Sequence, residues 1–276
     1  MPSRYDKTVK AMIAEAERRL DSQGAQAIRA LNTARKKVIA TVAQTEWDLF
    51  YLPQMKNAVD AAMAEFATVY GQNLTAAQGD YWAFGQAMVD RPLAVVGVTA
   101  ALPAIDTAVL RAMQQYSSHL IDNLGRDAAA KVYNEIAMGL MGQKTPYEVM
   151  KAIGTNLSDK SHMKSIASRA EMITKQECGR ILEAASQDRL AQASKVVPNL
   201  KKEWQHGGSS MPRPSHQAAH GQVRPVDEPF LVDGEELMYP RDPAGSPGNT
   251  INCSCYTVPY MASWDDVGTE EGRRAA

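Results

Sequence analysis

Residues 181–206 read ILEAASQDRLAQASKVVPNLKKEWQH, and the fold class turns on the change of period inside this stretch. Upstream of Pro198, Met163, Ile166, Ala170, Ile173 and Ile181 recur at steps of three, four and eight, the spacing of one face of a long helix. Pro198 cannot continue that helix, because it has no N–H to donate. Beyond it Lys201–His206 alternates around Trp204, which predicts a strand. The expected fold is a mainly α N-terminal region of long helices over residues 1–197, then a small α+β C-terminal domain over 198–262, with a tail over 263–276 expected to be flexible.

Working outward toward the N-terminus, residues 5–42 hold no proline, and Ile13, Leu20, Ile28, Leu31, Val38 and Val42 form one apolar stripe. Arg18, Arg19, Arg35, Lys36 and Lys37 lie mostly off it and read as a solvated face. After Pro53 a second helix carries Met55, Val59, Met63, Phe66 and Tyr70 and is expected to stop at residues 71–73, which include Gly71. Residues 79–106 suit either a buried helix or a buried strand. Val109, Met113, Tyr116 and Leu120 predict a helix closed by Gly125, and Val132, Ile136 and Leu140 one closed near Gly142. Thr145, Pro146 and Glu148 form a start signal for a short helix over 146–153 stopped by Gly154. Ser158 or Asp159 then caps the long helix that runs toward Pro198. Glu177 falls on the stripe of that helix, so Arg180, three residues on, is the candidate partner in a buried ion pair. Cys178 reads as a small apolar residue.

Composition limits the function classes. A chain of 276 residues with 45% hydrophobic content can bury at least one core, and its length suggests two domains. The net charge of −1 provides no domain-wide basic field, so any DNA contact is local and non-specific. Three cysteines, no basic-then-apolar leader and no apolar run of 18 residues predict a soluble chain made in a reducing compartment, with no membrane partner. The longest apolar stretch, 93–105, is interrupted by Gly97 and Pro103 and is expected to be a buried element.

In the last third, residues 230–232 and 237–239 flank Asp233-Gly234, a pair suited to a tight hairpin. Residues 214–221 leave room for one helical turn stopped by Gly221. Residues 239–252 are expected to form an irregular surface loop that delivers Cys253, Ser254 and Cys255 to a final strand.

The order Trp204, Arg213-Pro214-Ser215-His216, Gly221-Gln222, Phe230, Tyr239-Pro240 with Asp242-Pro243, and Ile251-Asn252-Cys253-Ser254-Cys255 resembles the C-terminal signature of the phage Mu protein F-like head morphogenesis family. The resemblance covers roughly residues 173–260. It departs from the family pattern at Ser209, Ser210, Met211 and Pro212, where an aspartate and a further arginine usually stand, and at Ser254, where arginine is usual. The resemblance implies a few-copy minor head protein of a tailed phage, made in the host bacterial cytoplasm and carried in the virion near the portal vertex. Its implied partners are the portal protein and the major capsid or scaffold protein, and it implies that the protein can leave with the DNA. The signature residues Trp204, Arg213, His216, Gly221, Phe230, Pro240, Asn252, Cys253 and Cys255 then have structural roles, with no catalytic residue.

His216, His220, Cys253 and Cys255 are the atom types of a zinc site, and two histidines four apart share a helical face. A Cys-x-Cys pair is tighter than the usual ligand spacing, so packed thiols and a hydrogen-bonded His216 are the preferred reading, with no cofactor expected. Three function classes remain: a virion structural protein, which leads; a metal-dependent nuclease or phage-delivered toxin using His216, Cys253 and Cys255; and a bacterial DNA-binding or scaffold protein unrelated to phage.

Overall fold

The first stripe forms a helix, α1 (Arg4–Gln44), in the computed structural model, which describes residues 3–98, 102–158, 165–209 and 211–264. Its buried line is Val9, Met12, Ile13, Ala16, Leu20, Ala27, Leu31, Ala34, Val38 and Val42; Ala27 takes the place expected for Ile28, which is half-buried. A 3₁₀ turn at Leu49–Tyr51 comes after it, its first turn capped by Asp48, which accepts from the Phe50 N–H at 2.8 Å. Next comes α2 (Leu52–Val95). Pro53 stands second in α2, where a missing N–H breaks no helical bond.

Three of the expected helix stops do not stop anything. α2 runs through Gly71 and Gly79 and keeps burying Leu74, Ala77, Tyr81, Trp82, Phe84, Met88 and Val89, so the ambiguous stretch after Gly79 is helix as far as Val95. α3 (Ala108–Leu140) runs through Gly125, and α4 (Pro146–Ser158) through Gly154 to bury Leu157. A glycine inside a helix costs about 1 kcal/mol, which burial of the flanking apolar side chains offsets. The glycines that do end helices are Gly97 and Gly142, at φ +82° and +72°. In each the chain closes with the same pair of bonds: Val98 N–H to Leu93 C=O and Gly97 N–H to Ala94 C=O, then Gln143 N–H to Met138 C=O and Gly142 N–H to Gly139 C=O. That closure needs a left-handed residue, which is glycine's particular capacity.

The register of α3 also differs from expectation. Leu110, Ser117, Ile121, Leu124, Ala128, Val132 and Ile136 are buried, while Val109 and Tyr116 are exposed. The start of α4 is as expected: Thr145 N–H donates to Glu148 Oε2 at 2.8 Å and Glu148 N–H to Thr145 Oγ1 at 3.3 Å. The Thr145 N–H, together with the Thr145 hydroxyl that donates to the same oxygen at 2.9 Å, holds the Glu148 carboxyl below its ordinary range. The long helix α5 (Ile166–Ala193) is capped by Ser165, whose hydroxyl accepts from Ser168 N–H at 3.1 Å; Ser158 instead ends α4, and Asp159 and Met163 lie outside the described residues.

The chain groups into two compact units, and the long helices contribute to both. One unit is Ser22–Ala77 with Ala112–Lys175. Within it Tyr70 Oη donates to Ala170 C=O at 2.9 Å, and Trp47 packs so closely on Gly139 that a Cβ there would fall 2.3 Å from its ring.

The other unit is Met1–Asp21, Gln78–Arg111 and Gln176–Ala276. Composition changes at Pro198, whereas compactness joins the strands beyond it to α5 from Gln176 onward. There α2 and α5 touch at Gly85, whose carbonyl accepts from Ser186 Oγ at 2.9 Å, and Arg189 holds both carboxylate oxygens of Asp90 at 2.7 and 2.8 Å. The strands are β1 (Lys201–His206), β2 (Val223–Pro225), β3 (Phe230–Val232), β4 (Glu235–Leu237) and β5 (Cys255–Tyr260). β1 lies between β2 and β5, antiparallel to each, and β3 with β4 makes a separate hairpin. β4 begins two residues earlier than expected, because Asp233 and Gly234, at φ 52° and 77°, complete a two-residue turn by themselves. Tyr5 of α1 donates to Pro259 C=O in β5 and packs on Trp264 with ring centroids 5.5 Å apart. The tail beyond Trp264 lies outside the described residues.

Candidate functional site

The site is assembled from two local events. A six-residue helix, α6 (Pro214–Ala219), sits on β1, and the chain then returns to β1 so that Gly221 N–H donates to Trp204 C=O at 2.9 Å and Trp204 N–H to Gln222 C=O at 3.0 Å. Meanwhile β5 pairs along β1 with Cys255 opposite His206. Together they bring His216, Cys253 and Cys255 into one buried cluster around Trp204, Phe230, Val232 and Leu237.

His216 Nδ1 lies 3.5 Å from Cys253 Sγ and 3.5 Å from Cys255 Sγ, and Cys255 N–H donates to Cys253 Sγ at 3.4 Å. The Trp204 ring meets His216 edge-on at 5.9 Å and Phe230 at 5.3 Å. A hydrogen bond from the Cys255 thiol is the main influence holding the Cys253 thiol well below its ordinary range, with His216 and Arg241 adding to it against burial. Cys255 is pushed up by that same bond and by burial. His220 is not in the cluster. α6 ends at Ala219, so His220 leaves the helix at ψ 130°, and its Nδ1 accepts from His206 N–H at 3.1 Å.

Several of the remaining signature residues bond backbone groups. Arg213 donates to Ile251 C=O at 2.5 Å. Gln222 bonds both backbone groups of Leu231, accepting from its N–H at 2.8 Å and donating to its C=O at 3.0 Å. Asp242 accepts from Met238 N–H and Ala244 N–H at 2.8 and 2.9 Å, and Asn252 stands at φ 54°. The 239–252 segment is not the surface loop expected: Pro240, Arg241, Asp242, Asn249 and Thr250 are buried in it, and Pro247–Thr250 forms a helical turn, α7. Of the departures, Met211 is exposed, position 254 contributes its backbone carbonyl, which accepts from Gly207 N–H at 2.9 Å, and Ser210 is outside the described residues. Glu177 and Arg180 meet at 2.5 Å with Glu177 buried, and burial pushes up the Cys178 thiol beside it.

Three buried ionisable residues did not stand out in the sequence. Lys202 donates to Met238 C=O at 2.7 Å and Gln187 Oε1 at 3.2 Å and is lowered to about 8 by burial. The alternation that placed Trp204 inside puts Lys202 on the same face two residues earlier, so the signal was present. Arg241, at φ 65°, donates to Cys255 C=O at 3.1 Å and passes over Gly179, where a Cβ would lie 2.7 Å from its Nε. Glu183 of α5 accepts from Thr257 N–H at 2.9 Å, and burial raises it to about 8. No local pattern marks either of these two.

The raised Glu183 gives a pH dependence. The folded state holds its proton up to about 8 while the unfolded chain releases it near 4.5, so this group's contribution is complete below pH 4.5 and is lost as pH rises through 8. Glu183→Gln is expected to flatten the fall in unfolding free energy between about pH 5 and 8, measured by denaturant titration at stepped pH. An unchanged slope would mean that Glu183 is ionised in the folded protein.

The arrangement belongs to a class of small module in which side chains clamp turns to the backbone around a closed cluster. The model of the family described as Phage Mu protein F like protein matches residues 129–258, a little under half of the chain, and that region is similar to the family. That family is phage head-related. A stretch of 84 residues is 38% identical to the uncharacterized protein YqbB of Bacillus subtilis (strain 168), covering 29% of this chain and 27% of that protein, so the match spans about a quarter of the curated relative. No solved structure matches the chain. Among the described residues no helix is long and apolar enough to cross a membrane.

Proposed function

We propose that the chain is a minor head protein of a tailed phage, acting in head assembly at or near the portal, with portal protein as its main partner and the major capsid or scaffold protein as a further one. The observation that carries this reading is the family match over residues 129–258, which takes in the whole clamped module from β1 nearly to the end of β5. Supporting it, Leu49 and Phe50 are 69% and 81% exposed at the turn between α1 and α2, held out by the Asp48 cap. Large apolar side chains fixed in solvent suit a partner surface. The nuclease or toxin alternative gains no support, because His216, Cys253 and Cys255 are at most 5% exposed and leave a substrate no approach.

Separating the chain at 197/198 is a poor test, since it severs α5 from strands of its own compact unit. The better experiment places a photo-crosslinking residue at Phe50 of the full-length chain and co-expresses it with portal, scaffold and capsid proteins of its phage. A crosslink to portal protein is expected. Crosslinks to the capsid protein alone would remove the portal assignment, and absence of the chain from purified heads would remove the head assignment.

A further inference from the structure

We infer that His216 Nδ1, Cys253 Sγ and Cys255 Sγ together bind one zinc-class divalent cation, which fastens α6 to the start of β5.

Zinc takes nitrogen at about 2.0–2.1 Å and thiolate sulfur at about 2.3 Å in a tetrahedron, so a nitrogen and a sulfur on one ion stand about 3.5 Å apart. Both nitrogen-to-sulfur distances here are 3.5 Å, and all three candidate donor atoms lie within 4.8 Å of one another. A neutral imidazole nitrogen has either one lone pair or one hydrogen, so a single Nδ1 cannot serve two thiols equally. A cation placed between the three atoms does satisfy them all. Two thiolates and an imidazole are the donor set that selects zinc over the harder divalent ions.

The surroundings suit a structural ion. Cys255 N–H already points at Cys253 Sγ, the kind of outer contact that holds a metal-bound sulfur in place. Trp204 and Phe230 close the cluster, and the guanidinium of Arg241 is fixed on the Cys255 carbonyl beside it. Among the described residues no fourth His, Cys, Asp or Glu joins the cluster, so the protein supplies three of the four ligands of a tetrahedral ion. On binding, the two thiols lose their protons to solvent. Small sheets with few core residues commonly depend on such a staple.

Sequence spacing pointed the other way, and spacing is the wrong measure here. Cys-x-Cys chelates poorly by itself, but the third donor comes from α6, which packing on β1 has already put in place. Zinc binding at this cluster does not depend on the head-assembly reading.

The test uses full-length protein purified without chelator. Elemental analysis is expected to find about one zinc per chain, and cobalt(II) in its place to give the thiolate-to-metal charge-transfer absorption of a tetrahedral sulfur site. Cys253→Ser and Cys255→Ser are expected to lose the metal, while Cys178→Ser, a buried cysteine outside the cluster, retains it. Should the serine variants not fold, His216→Cys decides: it is expected to keep the ion and strengthen the charge-transfer band. Folded wild-type protein without stoichiometric metal or the cobalt band would overturn the proposal, as would equal metal loss in Cys178→Ser.

Discussion

Trp204→Ala is expected to lower the unfolding free energy by about 3–5 kcal/mol, the range for removing a fully buried large aromatic side chain. Trp204 has no exposed surface and touches both halves of its cluster, Phe230 on one side and His216 on the other. What decides the position within that range is how far the site can collapse into the space left behind. Here collapse is opposed. The backbone N–H and C=O of Trp204 are both engaged, with Gln222 and Gly221, and the strand is paired on both edges. The loss should therefore fall in the upper half of the range, read as the shift in denaturation midpoint by circular dichroism, since the substitution itself alters fluorescence. A loss under about 1 kcal/mol would mean that Trp204 does not centre this core.

The long helices were visible in the sequence through period alone, because an apolar stripe as regular as that of α1 fits a helix and hardly anything else. The end near Gly142 was placed correctly, but others were misplaced because glycine was treated as a stop wherever one came after a stripe. Gly97 and Gly142 stop helices through the left-handed conformation, whereas Gly71, Gly79, Gly125 and Gly154 do not adopt it. Residue type alone does not distinguish the two groups; backbone conformation does, and the residues downstream of each glycine set it. β1 and the turn at Asp233-Gly234 were legible because alternation and turn chemistry are local. β2 was not, since three half-buried residues acquire a strand identity only by pairing with Lys201, Lys202 and Glu203.

The cluster was half legible for a related reason. The structure brings His216, Cys253 and Cys255 together and leaves His220 outside, because the helix that the four-residue spacing assumed ends at Ala219. Arg241 and Glu183 were invisible because each is buried by a tertiary contact, Arg241 over Gly179 and Glu183 against Thr257. The signature order carries more structural information than its residue types suggest. Arg213 and Gln222 bond backbone groups elsewhere in the module and Asp242 bonds the backbone of its own turn, so these three positions act as clamps on turns.

Gly85→Val is expected to be as damaging as the loss of Trp204, and for the opposite physical reason. A Cβ at Gly85 would lie 2.3 Å from the Leu182 carbonyl oxygen and 2.8 Å from Ala185 Cβ, both on α5. The first of these is backbone inside a helix and cannot swing aside as a side-chain tip would, so α2 and α5 must separate. That separation disturbs the Ser186 bond to the Gly85 carbonyl and the Arg189 grip on Asp90. Overpacking costs about 1–3 kcal/mol where neighbours can yield, and more where they cannot, so a loss of about 3 kcal/mol or more is expected. Gly79 in the same helix is the control, because a Cβ there meets nothing within 4 Å. Gly79→Ala is expected to stabilise by about 0.5–1 kcal/mol through helix propensity alone. The measurement is a pair of denaturant titrations whose shifts should have opposite signs. If both substitutions stabilise, α2 and α5 do not approach at Gly85, and the close helix contact that supports the sheet is wrong.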